Sequence, residues 1–265
     1  MSKIIPLSAT DITFGRSVIA CMVLALVVKL SGASLRLNNK KDYLVAIALG
    51  LLMSSHWVTY FAAMQYSSVS VGMIALFTFP VIAVLLEPFF EGIRLVWQDV
   101  VSALVVFIGI FLIVPEISLE NDVTLGILIG ILSAVLYAIR NLCHRKYFSH
   151  YTGAHAMSYQ TLVILVSLLF FVSEDLFTAS SETYLWIIVL GIFLTALPHT
   201  LIATSLKHLR VKTFALVACM QPFYGVILAI IVLDEKPNWQ TFLGGILVIS
   251  AAIYETVNAQ KLHRK

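Results

Sequence analysis

Nine apolar runs, each about 18–23 residues long, set the limits on what this chain can fold into. They fall at roughly 12–30, 43–66, 71–90, 98–114, 124–141, 154–172, 183–205, 213–233 and 239–257. A run of that length crosses a hydrocarbon core of about 30 Å as a helix. No water reaches such a core, so the backbone must satisfy its own N–H and C=O groups, and within one segment only a helix does that. Composition agrees. Hydrophobic residues make up 60% and charged residues 12%, where a soluble domain carries about 45–50% and about 25%. Mean hydropathy is +0.96. The expected fold is all-α, a polytopic membrane protein of about nine transmembrane helices. The connections are short and hold no soluble domain. The N-terminus shows no signal-peptide pattern, because Lys3 is the only early base and no small-residue cleavage site follows.

Part of the chain is written twice. Residues 69–113 reappear 142 positions on, with Pro80 meeting Pro222, Trp97 meeting Trp239 and Gln98 meeting Gln240. Val69, Val84, Leu86 and Val106 meet Val211, Val226, Leu228 and Val248, and Arg94 meets Lys236. The preserved spacing marks an internal duplication.

Basic residues give the two copies a direction. Lys29, Arg36, Lys40 and Lys41 follow the first span, Arg94 the third, and Arg140, Arg145 and Lys146 the fifth. Lys207, Arg210 and Lys212 follow the seventh, and Lys261, Arg264 and Lys265 close the chain. The opposite side holds only Lys3, Arg16 and Lys236, among the acids Glu116, Glu120, Asp122, Glu174, Asp175, Glu182, Asp234 and Glu235. The C-terminus is therefore expected in the cytoplasm and the N-terminus outside. The copies are offset by five spans, an odd number, so they run in opposite senses. Inverted repeats are the architecture of secondary transporters, with a binding site near the midplane.

The residues at this point carry a resemblance. TYFAAMQYSSVSVGMIALFTFPVIAVLLEP in the first copy is similar to the EamA-type repeat of the drug/metabolite transporter superfamily, as is LIATSLKHLRVKTFALVACMQPFYGVILAIIVLDEKPNWQTFLGG in the second. Pro222, Glu235, Gln240 and Gly244 fit the family's pattern, as do Pro80 and Gln98; Glu91 lies two residues closer to its proline than Glu235 does. The resemblance implies two repeats, at 1–115 and 124–258, and ten helices where this chain shows nine. Pro6 to Arg16 resembles the link into the family's second helix, with Ser8 and Asp11 forming a capping box. The first family helix is thus missing, and a start upstream of Met1 is the favoured expectation over a nine-helix variant.

Polar groups inside spans are the candidates for a site, since each is costly there. His56 lies near the centre of the second span, with Tyr60 one turn on. His199 lies beside Pro198 in the corresponding helix of the other repeat. Pro80 and Pro222 invite kinks that free a carbonyl, with Thr78, Phe79, Gln221 and Tyr224 close by. Tyr137, Arg140 and Asn141 follow a ladder of small residues, Gly126, Gly130, Ala134 and Ala138, that admits another helix. The expected substrate-binding set is His56, Tyr60, Thr78, Phe79, Tyr137, His199, Gln221 and Tyr224; Arg16 and Gln160 are weaker candidates. Each of these side chains also has a plain packing role open to it. Arg140 is expected to snorkel to the interface, and Glu87 and Glu91 to face the interface beside a base.

Several chemistries have no motif in the sequence. There is no G-x-x-x-x-G-K-[ST] and no H-E-x-x-H, and Cys21, Cys143 and Cys219 make no disulfide framework. No cofactor or metal is expected, and no nucleic-acid partner. The expectation is a secondary transporter of a small organic metabolite, amino-acid-like or drug-like. The resemblance implies an exporter in a bacterial inner membrane, multi-pass, monomeric or homodimeric, with membrane lipid and a coupling proton or ion as partners. An intramembrane enzyme acting on a lipid-linked substrate and a passive channel or lipid flippase are the alternatives.

Overall fold

A computed structural model describes residues 4–32, 34–92, 95–113, 120–209, 214, 218 and 220–262. Lys3, Arg94, Glu116, Arg210, Val211, Lys212, Cys219, Arg264 and Lys265 lie outside the described residues, as do the side chains of Glu91, Pro222 and Lys261. Among the described residues there is no strand, and most fall in eleven α segments: α1 (Ala9–Leu30), α2 (Lys40–Tyr66), α3 (Val69–Leu76), α4 (Phe79–Glu91), α5 (Trp97–Ile113), α6 (Asp122–Tyr147), α7 (Gly153–Leu168), α8 (Ser181–Gly191), α9 (Leu197–His208), α10 (Met220–Leu233) and α11 (Trp239–Leu262). Among the described residues, six stretches are long and apolar enough to cross a membrane, and three shorter apolar helices accompany them. The chain is an all-α polytopic membrane protein.

Two spans are interrupted, each for a local reason. The run at 69–91 breaks between Leu76 and Phe79. Pro80 has no N–H to give to the turn before it, so the helix is interrupted there and restarts with the proline in the first turn of α4, where a missing N–H costs little. Thr78 repairs the break, its hydroxyl donating to the Ala75 carbonyl at 2.9 Å. The expected kink takes the form of a two-residue turn, Phe77 and Thr78, within one span. The corresponding position around Pro222 follows residues outside those described. Between α8 and α9 the chain takes one π turn, Ile192–Ala196, and Thr195 donates its hydroxyl to the Leu190 carbonyl at 2.7 Å. Sequence periodicity gave no sign of it.

The helices gather into two compact units, and each draws on both halves of the sequence. The first comprises residues 1–58 and 143–209. In it α1 packs along α7 and α8, and α7 along α9. Ser8 caps α1 by accepting the Asp11 N–H at 3.1 Å. The Asp11 carboxylate reaches away, accepting the Ser173 N–H at 2.9 Å and its hydroxyl at 2.8 Å. At the far end of α1 an aromatic cluster holds the loop before α2. Tyr151 donates to Asp42 at 2.6 Å and accepts the Asn38 N–H at 2.7 Å, while Tyr159 donates to the Leu35 carbonyl at 2.6 Å. Burial, and then the neighbouring Asp42 carboxylate, push the Tyr151 hydroxyl's pKa up, so it stays a donor.

The second unit comprises residues 59–142 and 210–265. Here α5 lies along α11, α3 against α10, and α4 against both α5 and α11. Val71, Ile74, Val106, Ile110, Ile127 and Val248 form much of its core. The small-residue ladder on α6 admits the end of α2, the link after it and α3. A Cβ on Gly130 would come 2.6 Å from the Ala75 Cβ, and one on Gly126 2.7 Å from the Ser67 Cβ. Gly130→Val should therefore part these helices, at a cost of about 1–3 kcal/mol for overpacking. A fall in the melting temperature of the detergent-purified variant is the expected result; an unchanged value would show that the helices yield freely.

Candidate functional site

Three side chains from three helices of the first unit converge. Arg16 on α1 places its guanidinium carbon 3.8 Å from the centre of the Trp57 ring on α2. Trp57 in turn lies 4.8 Å, centre to centre, from the His199 ring on α9 at a tilt of 54°. Arg16 is 4% exposed and Trp57 1% exposed, whereas His199 is half-buried. A cation over an indole face is worth about 2 kcal/mol or more once water is excluded. That attraction offsets part of the cost of holding a cation inside a span. His199 comes two turns of chain after the π turn begins and directly follows Pro198. π turns inside helices are frequent at functional sites.

The other predicted residues divide between the units. His56 is buried on α2, one residue before Trp57 in the first unit. Tyr60 is half-buried, in the part of α2 that belongs to the second. Within that unit Phe79 and Tyr137 meet edge to face, 4.9 Å between ring centres, and both are buried. Thr78 is buried with its hydroxyl engaged on the backbone. Gln221 and Tyr224 on α10 are exposed. Of the weaker candidates, Gln160 spends its amide on its own helix, donating to the Ala156 carbonyl at 3.1 Å. Arg16 lies over Trp57, the ring that His199 also meets.

Two expectations about charged groups are corrected. Arg140 does not snorkel: it is fully buried, and its Nη1 donates to Asn141 Oδ1 at 2.9 Å. The reason is that α6 runs on to Tyr147, so Arg140 lies two turns short of the helix end. Glu87 is likewise buried, at 1% exposure, and does not face an interface. The second unit also holds an apolar cavity of about 530 Å³ along α4, α5 and α6. Phe107, Phe111 and Ile127 are among its walls, and Thr78 and Thr124 are its polar residues. Such a lining suits a hydrocarbon chain better than a polar solute.

The chain matches the family model described as EamA-like transporter family twice, over residues 1–114 and again over 124–254. The chain belongs to this family. Among its relatives is the uncharacterized transporter YxxF of Bacillus subtilis (strain 168), 25% identical over 228 residues, covering 84% of this chain and 72% of that protein. Another is the pseudopaline exporter CntI of Pseudomonas aeruginosa (strain UCBPP-PA14), 23% identical over 248 residues, covering 93% and 86%. An uncharacterized transporter of Archaeoglobus fulgidus is 26% identical over 196 residues, covering 74% and 69%. A crystal structure with 17% sequence identity superposes with a TM-score of 0.68, covering 96% of this chain and 90% of its own, and so shares the fold. Membrane transport is the activity this family membership supports.

Proposed function

We propose that this EamA-like protein is a secondary carrier exporting a small organic solute, amino-acid-like or drug-like, across a bacterial inner membrane by alternating access. The observation that supports it most is the Arg16–Trp57–His199 cluster in a membrane-spanning chain of this family. Ionisable groups within spans mark substrate and ion pathways, and here a buried cation and a half-buried imidazole share one aromatic ring. The name of the Pseudomonas aeruginosa relative favours export. In this reading His56 and His199 are the substrate-binding residues of the first unit, and Tyr60, Thr78, Phe79, Tyr137, Gln221 and Tyr224 those of the second. The repeats at 1–115 and 124–258 supply the inverted halves, and a proton or ion drives the cycle. The protein works as a monomer or homodimer amid membrane lipid.

Reconstitution into sealed vesicles tests this. Accumulation that depends on a proton or ion gradient is the expected result; flux that only dissipates a solute gradient would mean a channel, and chemical change of a lipid-linked substrate would mean an enzyme. The orientation has its own check. A reporter fused after Lys265 should be cytoplasmic and one near Asp122 external, and the inverted arrangement is lost if both report one side.

A further inference from the structure

We infer that the apolar cavity of the second unit is a lateral binding site for one acyl chain of a membrane phospholipid. The site is independent of which solute is carried. It holds about 530 Å³ between α4, α5 and α6. Its floor is buried apolar surface: Val81 on α4, Val106 and Ile110 on α5, and Ile127 on α6. Of its two polar residues, Thr78 already gives its hydroxyl to the Ala75 carbonyl, and Thr124 stands in the first turn of α6. Water settles in a cavity only where it finds about two to four polar partners, and this lining offers few. A space of this size left empty would forfeit contacts for every side chain around it. A polar solute would lose its hydrogen bonds on entry. Hydrocarbon meets none of these penalties.

The opening selects the hydrocarbon. Phe107 and Phe111 line the cavity and also belong to an exposed apolar stripe on α5, with Val100, Leu104 and Ile108. Residues three and four apart share one helix face, and a bare apolar face on a membrane-spanning helix meets lipid. Leu128 on α6, also exposed, forms part of the same rim. The cavity therefore opens sideways into the bilayer, and its walls continue the surface that lipid tails cover. Its length suits the same occupant. Ala103 to Phe111 on α5 and Thr124 to Ile131 on α6 each run about 10–12 Å at 1.5 Å per residue. One leaflet supplies about half of a hydrocarbon core of about 30 Å, so a single tail reaches the whole of it. Phe111 lies near the end of α5 and Thr124 near the start of α6, which places the cavity in the leaflet on the side of Asp122. A tail entering there passes the exposed rim and meets Ile82, Leu85 and Ile131, all half-buried. Ordinary boundary lipid touches the exposed stripe alone.

The test uses the whole chain in vesicles of phosphatidylethanolamine and phosphatidylglycerol. A phosphatidylethanolamine carrying a photoactivatable diazirine on one acyl chain maps where that chain lies. Native mass spectrometry after extraction into a mild detergent counts what stays bound. We expect one phospholipid retained per chain, and diazirine adducts on Ile82, Leu85 or Ile131. Ala103→Phe puts a ring into the cavity and should lower both retention and these adducts roughly fivefold or more, with adducts at Val100 and Ile108 unchanged. Ile131→Phe fills the same space from α6 and replaces Ala103→Phe if that variant does not fold; the wild-type adduct map decides if neither folds. Adducts confined to the exposed stripe, or equal retention in the wild type and the filled variant, would mean boundary lipid only and overturn the inference. A small metabolite retained in place of phospholipid and lost on filling would assign the cavity to a solute. A dimer that filling dissociates would assign it to a second copy of the chain. Either result overturns the inference as well, and none of them touches the carrier reading.

Discussion

Replacing Glu235 with alanine should lower the melting temperature of the purified protein by roughly 5 °C or more, although the residue lies in a loop. Within the second unit its carboxylate accepts three hydrogen bonds at the start of α3: the Val69 N–H at 2.7 Å, the Ser70 N–H at 3.1 Å and the Ser70 hydroxyl at 2.7 Å. The first N–H groups of a helix have no partner within it, and the helix dipole adds positive potential there. A carboxylate answers both needs. Hydrogen bonds to a charged group contribute about 1.5–3 kcal/mol each, and leaving such donors buried and unmet costs a similar amount. The chain is bent to allow it, for Asp234 sits at φ 51°, in the left-handed region that aspartate tolerates better than most residues. Glu235→Gln keeps one acceptor oxygen but loses the charge, and should fall between alanine and wild type. If glutamine and alanine melt alike near the wild-type value, the loop contributes nothing to holding α3.

The spans were legible in the sequence because hydrocarbon imposes one backbone solution and a long run of apolar residues to match. The interruptions were legible only where a residue type forces them. Pro80 announced a disturbance, and the structure makes it a two-residue turn; the π turn at Ile192–Ala196 has no such marker beyond Pro198 after it. The polar groups fared less evenly. His199 stood out as an ionisable group in a span, but Trp57 read as one more apolar residue, and only the folded chain shows it set between His199 and Arg16. Distance along the sequence hides that relation, since the three come from α1, α2 and α9. Glu235 was visible as a family-pattern residue with no stated task. Its partners lie about 165 residues away, beyond the reach of any local pattern.

Arg140 is the other buried arginine, and its substitution should separate structure from transport. It belongs to a fully closed setting: it is 0% exposed, its Nη1 is 2.9 Å from Asn141 Oδ1, and Asn141 is itself 0% exposed. One turn away Tyr137 is locked edge to face on Phe79. Arg140→Ala removes a large buried side chain as well as its hydrogen bonds, which should cost about 3–5 kcal/mol and sharply reduce folded protein in the membrane. Arg140→Met keeps most of the volume and removes the charge, and with it the expense of burying one. What remains is an Asn141 oxygen without its donor, at about 1–3 kcal/mol. The methionine variant should therefore fold in useful amounts, melting between alanine and wild type. Its flux, per folded molecule, should stay within about twofold of wild type, because no solute reaches a side chain so enclosed. That result would assign Arg140 to cohesion and not to recognition. A methionine variant that folds well and does not transport would reverse the assignment and move the site to α6.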